Sequence, residues 1–384
     1  MLYYVKERKI AMKNRKGRAI IISCVDWYDQ RMKYIEQYLN GCDFETAIVL
    51  SDFNHYSKKT DKRWSGRNNV RYIHVVPYKK NISLKRIFSH WLFSKKVCTI
   101  IKNSDPALVY CLIPPNSLVK DLGKLKKKMK FRLVFDVIDM WPESFPKGNT
   151  NLLPFLIWKQ MRDNYINVAE DIVLECAYYK KNLRRIVNVK KMHVFQLVKP
   201  SLKEMKYEIE SKEKIYLAYL GSINSLIDVD NVLVVLKRLL KIKPVVLKIV
   251  GDGELKDEFI ARVNSIGVET EYFGKIFDDE KKYEILGKCH FGLNIYKVNT
   301  NIGLTGKSVD YFQMGLPILN SIPGDTEELV KKYGIGINLK DITEQELSVY
   351  INDIEKNKRK VNKIFDRFFD EKNIGKVLAF LTEF

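Results

Sequence analysis

The stretch TGKSVDYFQMGLPIL, residues 305–319, has the pattern of a short helix that runs into a buried strand. Asp310 and Gln313 are spaced to lie on neighbouring turns of that helix, and Gly-Leu-Pro at 315–317 ends it. Lys307 adds positive charge to a helix N-terminus, which already favours anions, whereas Asp310 can accept hydrogen bonds from sugar hydroxyls. The stretch predicts a nucleotide site, with phosphate at Lys307 and ribose at Asp310, although an ordinary amphipathic helix would have the same pattern.

Short apolar runs alternate with helix-period segments along the second half of the chain. Four such runs precede the opening stretch, at 215–220, 245–250, 271–276 and 290–296. Strands that alternate with helices predict a parallel sheet, whose ligand-binding loops lie at the carboxyl ends of the strands. Gly221, Gly251, Lys275, Tyr296 and Lys307 would then share one edge of the sheet.

Five motifs in this half resemble the nucleotide-sugar-binding domain of GT-B glycosyltransferases, and are most similar to glycosyltransferase family 4. They are YLGS at 219–222, IVGDGEL at 249–255, EYFGKI at 271–276, GLNIYK at 292–297 and GKSVDYFQMGLPIL at 306–319. The resemblance implies an α/β chain of the GT-B type, with two Rossmann-like, doubly wound domains facing a cleft.

The resemblance also implies a donor site in the second domain. Its implied residues are Gly221, Ser222, Gly251, Lys275, Ile276, Tyr296, Thr305, Gly306, Lys307 and Asp310. In the family, the turn after the first strand and the following helix receive the donor diphosphate. The turn after the second strand and a Gly-Lys segment border the base, and an acid at the position of Asp310 holds the ribose.

This chain departs from the family at two points of the donor site. The loop GSINSLIDVD at 221–230 contains no basic residue, so Lys307 is the cation expected to meet the diphosphate. Ile302 stands where many members have the first of two glutamates. No carboxylate pair is therefore assigned, and the residue that faces the sugar ring within 301–305 stays open.

The first half has a strand pattern of its own. Apolar runs occur at 19–25, 46–50, 108–112, 132–136 and 172–175. The motif VFDVIDMWPES at 134–144 resembles family 4 enzymes that act on lipid-linked acceptors. That resemblance implies Asp139 as a catalytic residue that serves or positions the acceptor hydroxyl, with Trp141 and Glu143 on the acceptor side. A simple turn, in which the Asp caps, the Trp packs and the Pro breaks the chain, would also explain these residues.

These patterns predict four segments along the chain. An acceptor-binding domain at 1–199 is followed by a charged linker at 200–213 and a donor-binding domain at 214–364. Residues 365–384 read as helix, and the resemblance implies that the last helix crosses back to the first domain. The length of 384 residues suits two domains of about 150–200 residues each.

Positive charge is concentrated in the first half. Residues 1–200 contain 39 basic and 17 acidic side chains, a net charge of +22, whereas residues 201–384 have a net charge of −1. Such a surface attracts an anionic membrane leaflet. The stretch 80–101 mixes Lys and Arg with Phe88, Trp91 and Phe93, which is typical of an interfacial amphipathic helix. A core-packing helix with a basic solvated face is the alternative.

Other sequence features argue against disulfide bonds, a metal site, a membrane span and a signal peptide. The six cysteines are scattered without a CxxC pair, as expected for reduced thiols, and no metal site is expected because the His, Cys and acidic residues lack ligand spacing. No apolar run reaches 18 residues, so no membrane span is expected. The basic N-terminal 17 residues lack the apolar region of a signal peptide.

The sequence therefore predicts a glycosyltransferase that moves a sugar from a nucleotide-diphosphate sugar to a hydroxyl of a lipid-linked or polysaccharide acceptor. The family resemblance implies retention of configuration and no metal or other cofactor. The expected location is cytoplasmic, peripheral on the inner face of the cell membrane, with no nucleic-acid partner. A sugar-nucleotide epimerase and a basic nucleic-acid-binding protein are the alternatives. The sequence offers no catalytic acid cluster for the former, and the latter would bind RNA or DNA in a salt-dependent way.

Overall fold

A computed structural model of the chain describes residues 17–25, 28–55, 57–80, 83–144, 153–297 and 302–383. The chain divides into two compact units. The first comprises the described residues within Met1–Glu175, Tyr179–Phe195 and Ile374–Phe384, and the second those within Cys176–Tyr178 and Gln196–Asn373. Among the described residues, no helix combines the length and apolar character required to cross a membrane.

The first unit is built on a parallel sheet of seven strands in the order β3-β2-β1-β4-β5-β6-β7. The strands are β1 (Gly17–Ser23), β2 (Phe44–Ser51), β3 (Val70–Ile73), β4 (Leu108–Ile113), β5 (Arg132–Val137), β6 (Asp171–Leu174) and β7 (Met192–Val194). The helices that alternate with them are α1 (Asp29–Gly41), α2 (Leu84–Ser104), α3 (Asn116–Lys126), α4 (Leu153–Asp163) and α5 (Tyr178–Leu183). All six residues of the central strand β4 are buried, as expected for a parallel strand covered on both faces.

The second unit contains a parallel sheet of six strands in the order β10-β9-β8-β11-β12-β13. Its strands are β8 (Ile215–Ser222), β9 (Val245–Asp252), β10 (Glu269–Tyr272), β11 (Phe291–Asn294), β12 (Ile318–Asn320) and β13 (Gly336–Asn338). Its helices are α6 (Val229–Leu240), α7 (Lys256–Asn264), α8 (Asp279–Leu286), α9 (Gly306–Gln313), α10 (Asp325–Tyr333), α11 (Glu344–Asn352) and α12 (Ile354–Phe368), and α13 (Ile374–Leu378) follows in the first unit. The predicted α/β class with two doubly wound parallel sheets is confirmed.

Helix α2 is buried to different extents in its first and later turns. Phe93, Val97 and Ile101 are at most 1% exposed and pack in the core. Near the N-terminus of the helix, Phe88 and Trp91 are 50% and 47% exposed, and their rings stack with centroids 5.5 Å apart. The helix therefore buries its later turns as a core helix does, whereas its first turns present apolar side chains to solvent.

A buried ion pair holds α1 against the sheet of the first unit. The Arg31 guanidinium donates to both oxygens of Asp136 in β5, at 2.7 and 2.8 Å, and to the carbonyl of Phe195 at 2.8 Å. The Tyr110 hydroxyl donates to Asp136 at 2.8 Å. Every charge in this group has a partner of opposite sign or a hydrogen bond, which is the condition for tolerating charge in a protein interior.

Two segment boundaries differ from those expected. Residues 200–213, expected as a linker, lie within the second unit. Tyr207 donates to Asn362 at 2.6 Å, and Tyr283 donates to the carbonyl of Lys206 at 2.8 Å. The expected C-terminal segment 365–384 begins inside α12, which ends at Phe368, and only residues from Ile374 onward belong to the first unit. Aromatic and polar contacts thus order a segment whose charge composition indicated a linker.

The buried pair Arg31–Asp136 leads to a stability prediction. Arg31→Met alone leaves the Asp136 carboxylate buried without its counter-charge, which should lower the free energy of unfolding by about 3–5 kcal/mol. The double variant Arg31→Met/Asp136→Leu removes both charges. Its loss in free energy of unfolding should be smaller than the summed losses of Arg31→Met and Asp136→Leu. Urea unfolding followed by circular dichroism measures the free energy of unfolding of all three variants. Additive losses would mean that the two charges do not stabilise one another.

Candidate functional site

Two glycines at the carboxyl edge of the second sheet bring its strand ends into close contact. Gly221 at the end of β8 pairs with Gly251 at the end of β9, with φ angles of +107° and +149° that side chains disfavour. A Cβ at Gly251 would lie 1.9 Å from the carbonyl oxygen of Gly221. Glycine is therefore required at 251, where the two strand ends meet.

Lys307 lies directly beside this turn. A Cβ at Gly221 would be 3.3 Å from the Cε of Lys307. The Lys307 ammonium is 4.2 Å from the ring centroid of Tyr219 and 4.9 Å from that of Tyr296, and only 9% of the residue is exposed. Two aromatic faces thus hold a lysine against the glycine turn, in the geometry of a cation–π cage.

Burial makes Lys307 a lysine that titrates near neutrality. Desolvation lowers the pKa of Lys307 to about 7, and the nearby Asp310 opposes this shift. The charged form is disfavoured because the aromatic rings replace water without offering it a full counter-charge. An anion that enters beside Lys307 would supply the missing charge, so the arrangement fits a diphosphate.

Helix α9 begins at this point with a capped N-terminus. Thr305 is its N-cap, and the hydroxyl oxygen of Thr305 accepts a hydrogen bond from the N–H of Ser308 at 3.0 Å. The backbone N–H groups of Gly306 and Lys307 belong to the first turn, where an α-helix offers no carbonyl partners of its own. The Tyr296 hydroxyl forms a hydrogen bond with the Thr305 side chain. The N-cap residue Thr305, the aromatic rings around Lys307 and the N-terminus of α9 therefore lie close together.

A ladder of asparagines supports α9 from below. The side-chain amide of Asn294 donates to Asn320 at 2.8 Å, and that of Asn320 donates to Asn338 at 2.9 Å. These three residues are in register across β11, β12 and β13. Asn294 also donates to the hydroxyl of Ser308 at 3.1 Å. The ladder links the first turn of α9 to three strand ends and fixes its position on the sheet.

The other predicted donor residues lie at, or follow, strand ends at the same edge of the sheet. Ser222 is the exposed last residue of β8. The exposed Lys275 pairs with Asp252 at 3.2 Å, across the loops that follow β10 and β9. Ile276 is half-buried, and the next residue, Phe277, is 87% exposed.

Asp310 has partners that the sequence did not indicate. Its carboxylate forms an ion pair with Lys199 and lies 3.6 Å from Lys282. Asp279 pairs with the same two lysines, at 2.9 Å and 2.5 Å, and accepts from Gln313 at 3.2 Å. The carboxylate expected to hold a ribose therefore already belongs to a network of two acids and two lysines, and a bound ribose would share it with them.

In the first unit, Asp139 has a second acid for a neighbour. Asp139 follows β5, and Glu175 follows the adjacent strand β6. Burial raises the pKa of Glu175 to about 8, with Asp139 and Asp136 adding to the rise, so Glu175 retains its proton at neutral pH. Burial also raises the pKa of Asp139, which a hydrogen bond with Ser144 partly offsets. One carboxyl of the neighbouring pair is thus protonated and the other is the better candidate base.

Glu143 and Trp141 have different structural positions. The Glu143 carboxylate accepts two hydrogen bonds from Arg162, at 2.6 and 2.9 Å, which tie the turn after β5 to α4. Trp141 lines a cavity of about 380 Å³, with the Trp158 ring 5.7 Å away. Asn116 donates to the Trp141 carbonyl at 3.0 Å. Glu143 therefore braces this turn, while Trp141 faces an apolar space.

Several contacts at these sites have no signature in the sequence. Tyr219, Lys199, Glu175 and the asparagine ladder become neighbours of the predicted residues only in the folded chain. Tyr219 belongs to the YLGS motif at 219–222, but the motif does not indicate that the ring of Tyr219 contacts Lys307. The sugar-facing position left open within 301–305 is only partly covered, since residue 301 lies outside the described residues. Among those described, no group of three or more His, Cys, Asp or Glu side chains could hold a metal ion.

The chain is similar to known proteins in structure, but not in sequence. No protein-family model matches the sequence, and no curated protein matches it significantly. The chain is similar to Anabaena Alr3699/HepE in complex with UDP, with a TM-score of 0.68 and 11% identity over 95% of this chain and 99% of that one. It is also similar to the lipopolysaccharide outer core galactosyltransferase WaaB, with a TM-score of 0.65 and 15% identity over 94% and 99%.

A third similar structure is the pneumococcal O-GlcNAc transferase GtfA in complex with UDP and GlcNAc. Its TM-score is 0.60, with 9% identity over 96% of this chain and 99% of that one. At such low identity the likeness establishes the fold, and it extends over nearly the full length of each chain. The protein therefore has the GT-B fold of these glycosyltransferases, as the motifs in its sequence predicted.

Proposed function

We propose that this protein is a glycosyltransferase that uses a nucleotide-diphosphate sugar as donor. The observation that carries the proposal is the caged Lys307, held beside the Gly221 turn and at the N-terminus of α9. A lysine deprived of water, next to backbone N–H groups, is suited to a diphosphate. The GT-B fold supports the same reaction, and three similar structures contain UDP, UDP with glucose or UDP-glucose, which favours a uridine nucleotide.

In the proposed reaction, the second unit binds the donor and stabilises its leaving diphosphate. Lys307 and the first turn of α9 would carry the negative charge that develops on the diphosphate, without a metal ion or other cofactor. The exposed Phe277, next to Ile276, offers an aromatic face for the base. Asp310 would meet the ribose while remaining paired with Lys199. Reaction with retention of configuration follows from the resemblance to family 4.

In the first unit, Asp139 is proposed as the residue that serves the acceptor hydroxyl. Its raised pKa makes it a stronger base than an ordinary aspartate, and the protonated Glu175 beside it avoids a second negative charge. The acceptor would be lipid-linked or a polysaccharide, in the synthesis of a surface glycan. The net charge of +22 in residues 1–200 supports peripheral attachment to the anionic inner face of the cell membrane.

Removal of the Lys307 amine tests the donor site. Lys307→Ala should weaken UDP-glucose or UDP binding about ten- to a hundred-fold, because a charge-assisted hydrogen bond to phosphate contributes about 1.5–3 kcal/mol. Calorimetric titration measures the affinity. Lys241→Ala is the matched control, since Lys241 is a lysine of the same unit with its side chain 65% exposed in a surface ion pair. Equal affinity of wild type and Lys307→Ala would exclude Lys307 from the donor site.

The titration of Lys307 predicts how donor affinity depends on pH. Above its pKa of about 7, Lys307 is increasingly neutral in the free protein and must take up a proton when the diphosphate binds. Affinity for a UDP-sugar should therefore fall by up to about tenfold per pH unit from pH ~7 to ~8.5, and level off below pH ~7. Titrations in buffers of different ionisation enthalpy measure the proton uptake.

Lys307→Arg is the control for this pH dependence. Arginine stays charged throughout the range, so the variant should bind with an affinity that does not change with pH and with no proton uptake. A wild-type affinity that is constant from pH ~6.5 to ~8.5 would contradict the prediction.

The acceptor base is tested separately from the donor site. Asp139→Asn should reduce turnover of a UDP-sugar with acceptor by about 10²–10⁴-fold, the usual contribution of a positioned base, and leave donor affinity unchanged. Asp43→Asn is a control, because Asp43 is exposed and its φ of +67° suits asparagine equally well. Full turnover by Asp139→Asn would leave Asp139 as a turn residue only.

A further inference from the structure

The first unit contains an apolar cavity. Its volume is about 380 Å³, room for about a dozen groups of the size of a water molecule at ~30 Å³ each. Aromatic and aliphatic side chains from α2, α4 and the turn after β5 line most of it, among them Leu84, Phe88, Trp91, Trp141, Trp158 and Met161. A space of this volume and lining fits a hydrocarbon chain of about ten to twelve carbon atoms.

One wall of the cavity continues onto the protein surface. Leu84, Phe88 and Trp91 are spaced at i, i+4 and i+7, so they share one face of α2. They are 83%, 50% and 47% exposed, although monomeric proteins seldom leave adjacent large apolar side chains in water. This face gives a chain that emerges from the cavity a path toward a bilayer.

The lining is apolar but carries a positive charge. Arg86 lines the cavity, with its guanidinium carbon 5.3 Å from the Trp141 ring centroid. His90, the other titratable residue of the lining, is kept neutral because burial holds its pKa well below the usual range. Lys85 is exposed on the turn that also carries Arg86. Charge complementarity therefore favours an occupant with an apolar chain and an anionic head.

The same arginine relates the cavity to the proposed acceptor base. Burial raises the pKa of Asp139, and the positive charge of Arg86 partly offsets that rise. Trp141, two residues beyond Asp139, contributes its ring to the lining. A phosphate held at Arg86 would thus lie between a chain in the cavity and a sugar hydroxyl at Asp139.

We propose that this cavity binds the hydrocarbon chain of a lipid-linked acceptor whose phosphate lies at Arg86. The inference rests on the proposed glycosyl transfer and makes it more specific, since it assigns the acceptor to the lipid phosphates. The apolar face of α2 guides the remainder of the chain into the membrane.

The test uses prenyl phosphates of increasing length, bound below their micelle concentrations and followed by tryptophan fluorescence. Geranyl, farnesyl and geranylgeranyl phosphate differ by one five-carbon unit each. Affinity should rise about tenfold or more from geranyl to farnesyl phosphate, because each buried methylene contributes about 0.8 kcal/mol. It should rise much less from farnesyl to geranylgeranyl phosphate, since the cavity is then full. Simple partitioning onto an apolar surface would increase the affinity by the same factor for each five-carbon unit, and this result would overturn the proposal.

Three variants and a control locate the binding. Ile87→Trp fills the cavity and should reduce farnesyl phosphate affinity at least tenfold. Leu84→Ser/Phe88→Ser removes exposed side chains of the lining and should reduce it severalfold, whereas Val189→Ser, at a residue 53% exposed in the same unit and outside the cavity, should not. Arg86→Gln should reduce the preference for farnesyl phosphate over farnesol.

Donor titration with UDP-glucose in the same variants separates the two proposals. Unchanged donor affinity, together with farnesyl phosphate affinity that Ile87→Trp does not alter, would overturn the cavity assignment and leave glycosyl transfer intact. Saturable prenyl phosphate binding without any affinity for a nucleotide sugar would instead overturn the proposed function. If Leu84→Ser/Phe88→Ser abolished binding to anionic vesicles but not to farnesyl phosphate, α2 would be a membrane contact alone and the continuity with the cavity would be wrong.

Discussion

Parallel strand pairing is the constraint on which the candidate sites depend. Every pairing between the named strands of the two sheets is parallel, so each connection must return over a face of the sheet before the next strand begins. The carboxyl ends of successive strands therefore meet at one edge. In the second unit this brings Gly221, Gly251, Tyr296 and Lys307 together from positions far apart in the chain. In the first unit it places Asp139 beside Glu175.

Both units place ionisable groups where water is scarce, with opposite consequences. Among the described residues, Lys307 loses hydration and gains aromatic faces and the charge of Asp310, which is already paired with other lysines, so the charge of Lys307 is held weakly. Arg31 loses hydration as well, but each of its three guanidinium nitrogens donates a hydrogen bond, two to Asp136 and one to a backbone carbonyl. The satisfied pair holds the fold together, whereas the unsatisfied lysine is available to a ligand. This difference in hydrogen bonding is the reason for proposing a ligand-binding role for Lys307 and a structural role for Arg31.

Charge and apolar surface in the first unit support the same acceptor chemistry. The excess of basic side chains in residues 1–200 would attract anionic lipid, but long-range attraction is not specific. Specificity requires a shaped space, and the cavity lined by α2, α4 and the turn after β5 offers one with mostly apolar walls. Glu143 contributes indirectly, because its pair with Arg162 holds that turn in place and so positions Trp141 in the cavity wall.

The sequence by itself determined the class of fold and most of its elements. Nine of the strands match apolar runs, because burial on both faces of a parallel strand leaves a continuous apolar signal, whereas the exposed edge strand β10 shares only two residues with its predicted run at 271–276. The short edge strands β3, β7 and β13 lack that signal and were missed. Motif order also indicated Lys307 and the glycine turns. Only the tertiary structure decided that Tyr219 cages Lys307, that Lys199 pairs with Asp310, and that Leu84 and Trp158 enclose one cavity, because such contacts join residues that no local periodicity connects.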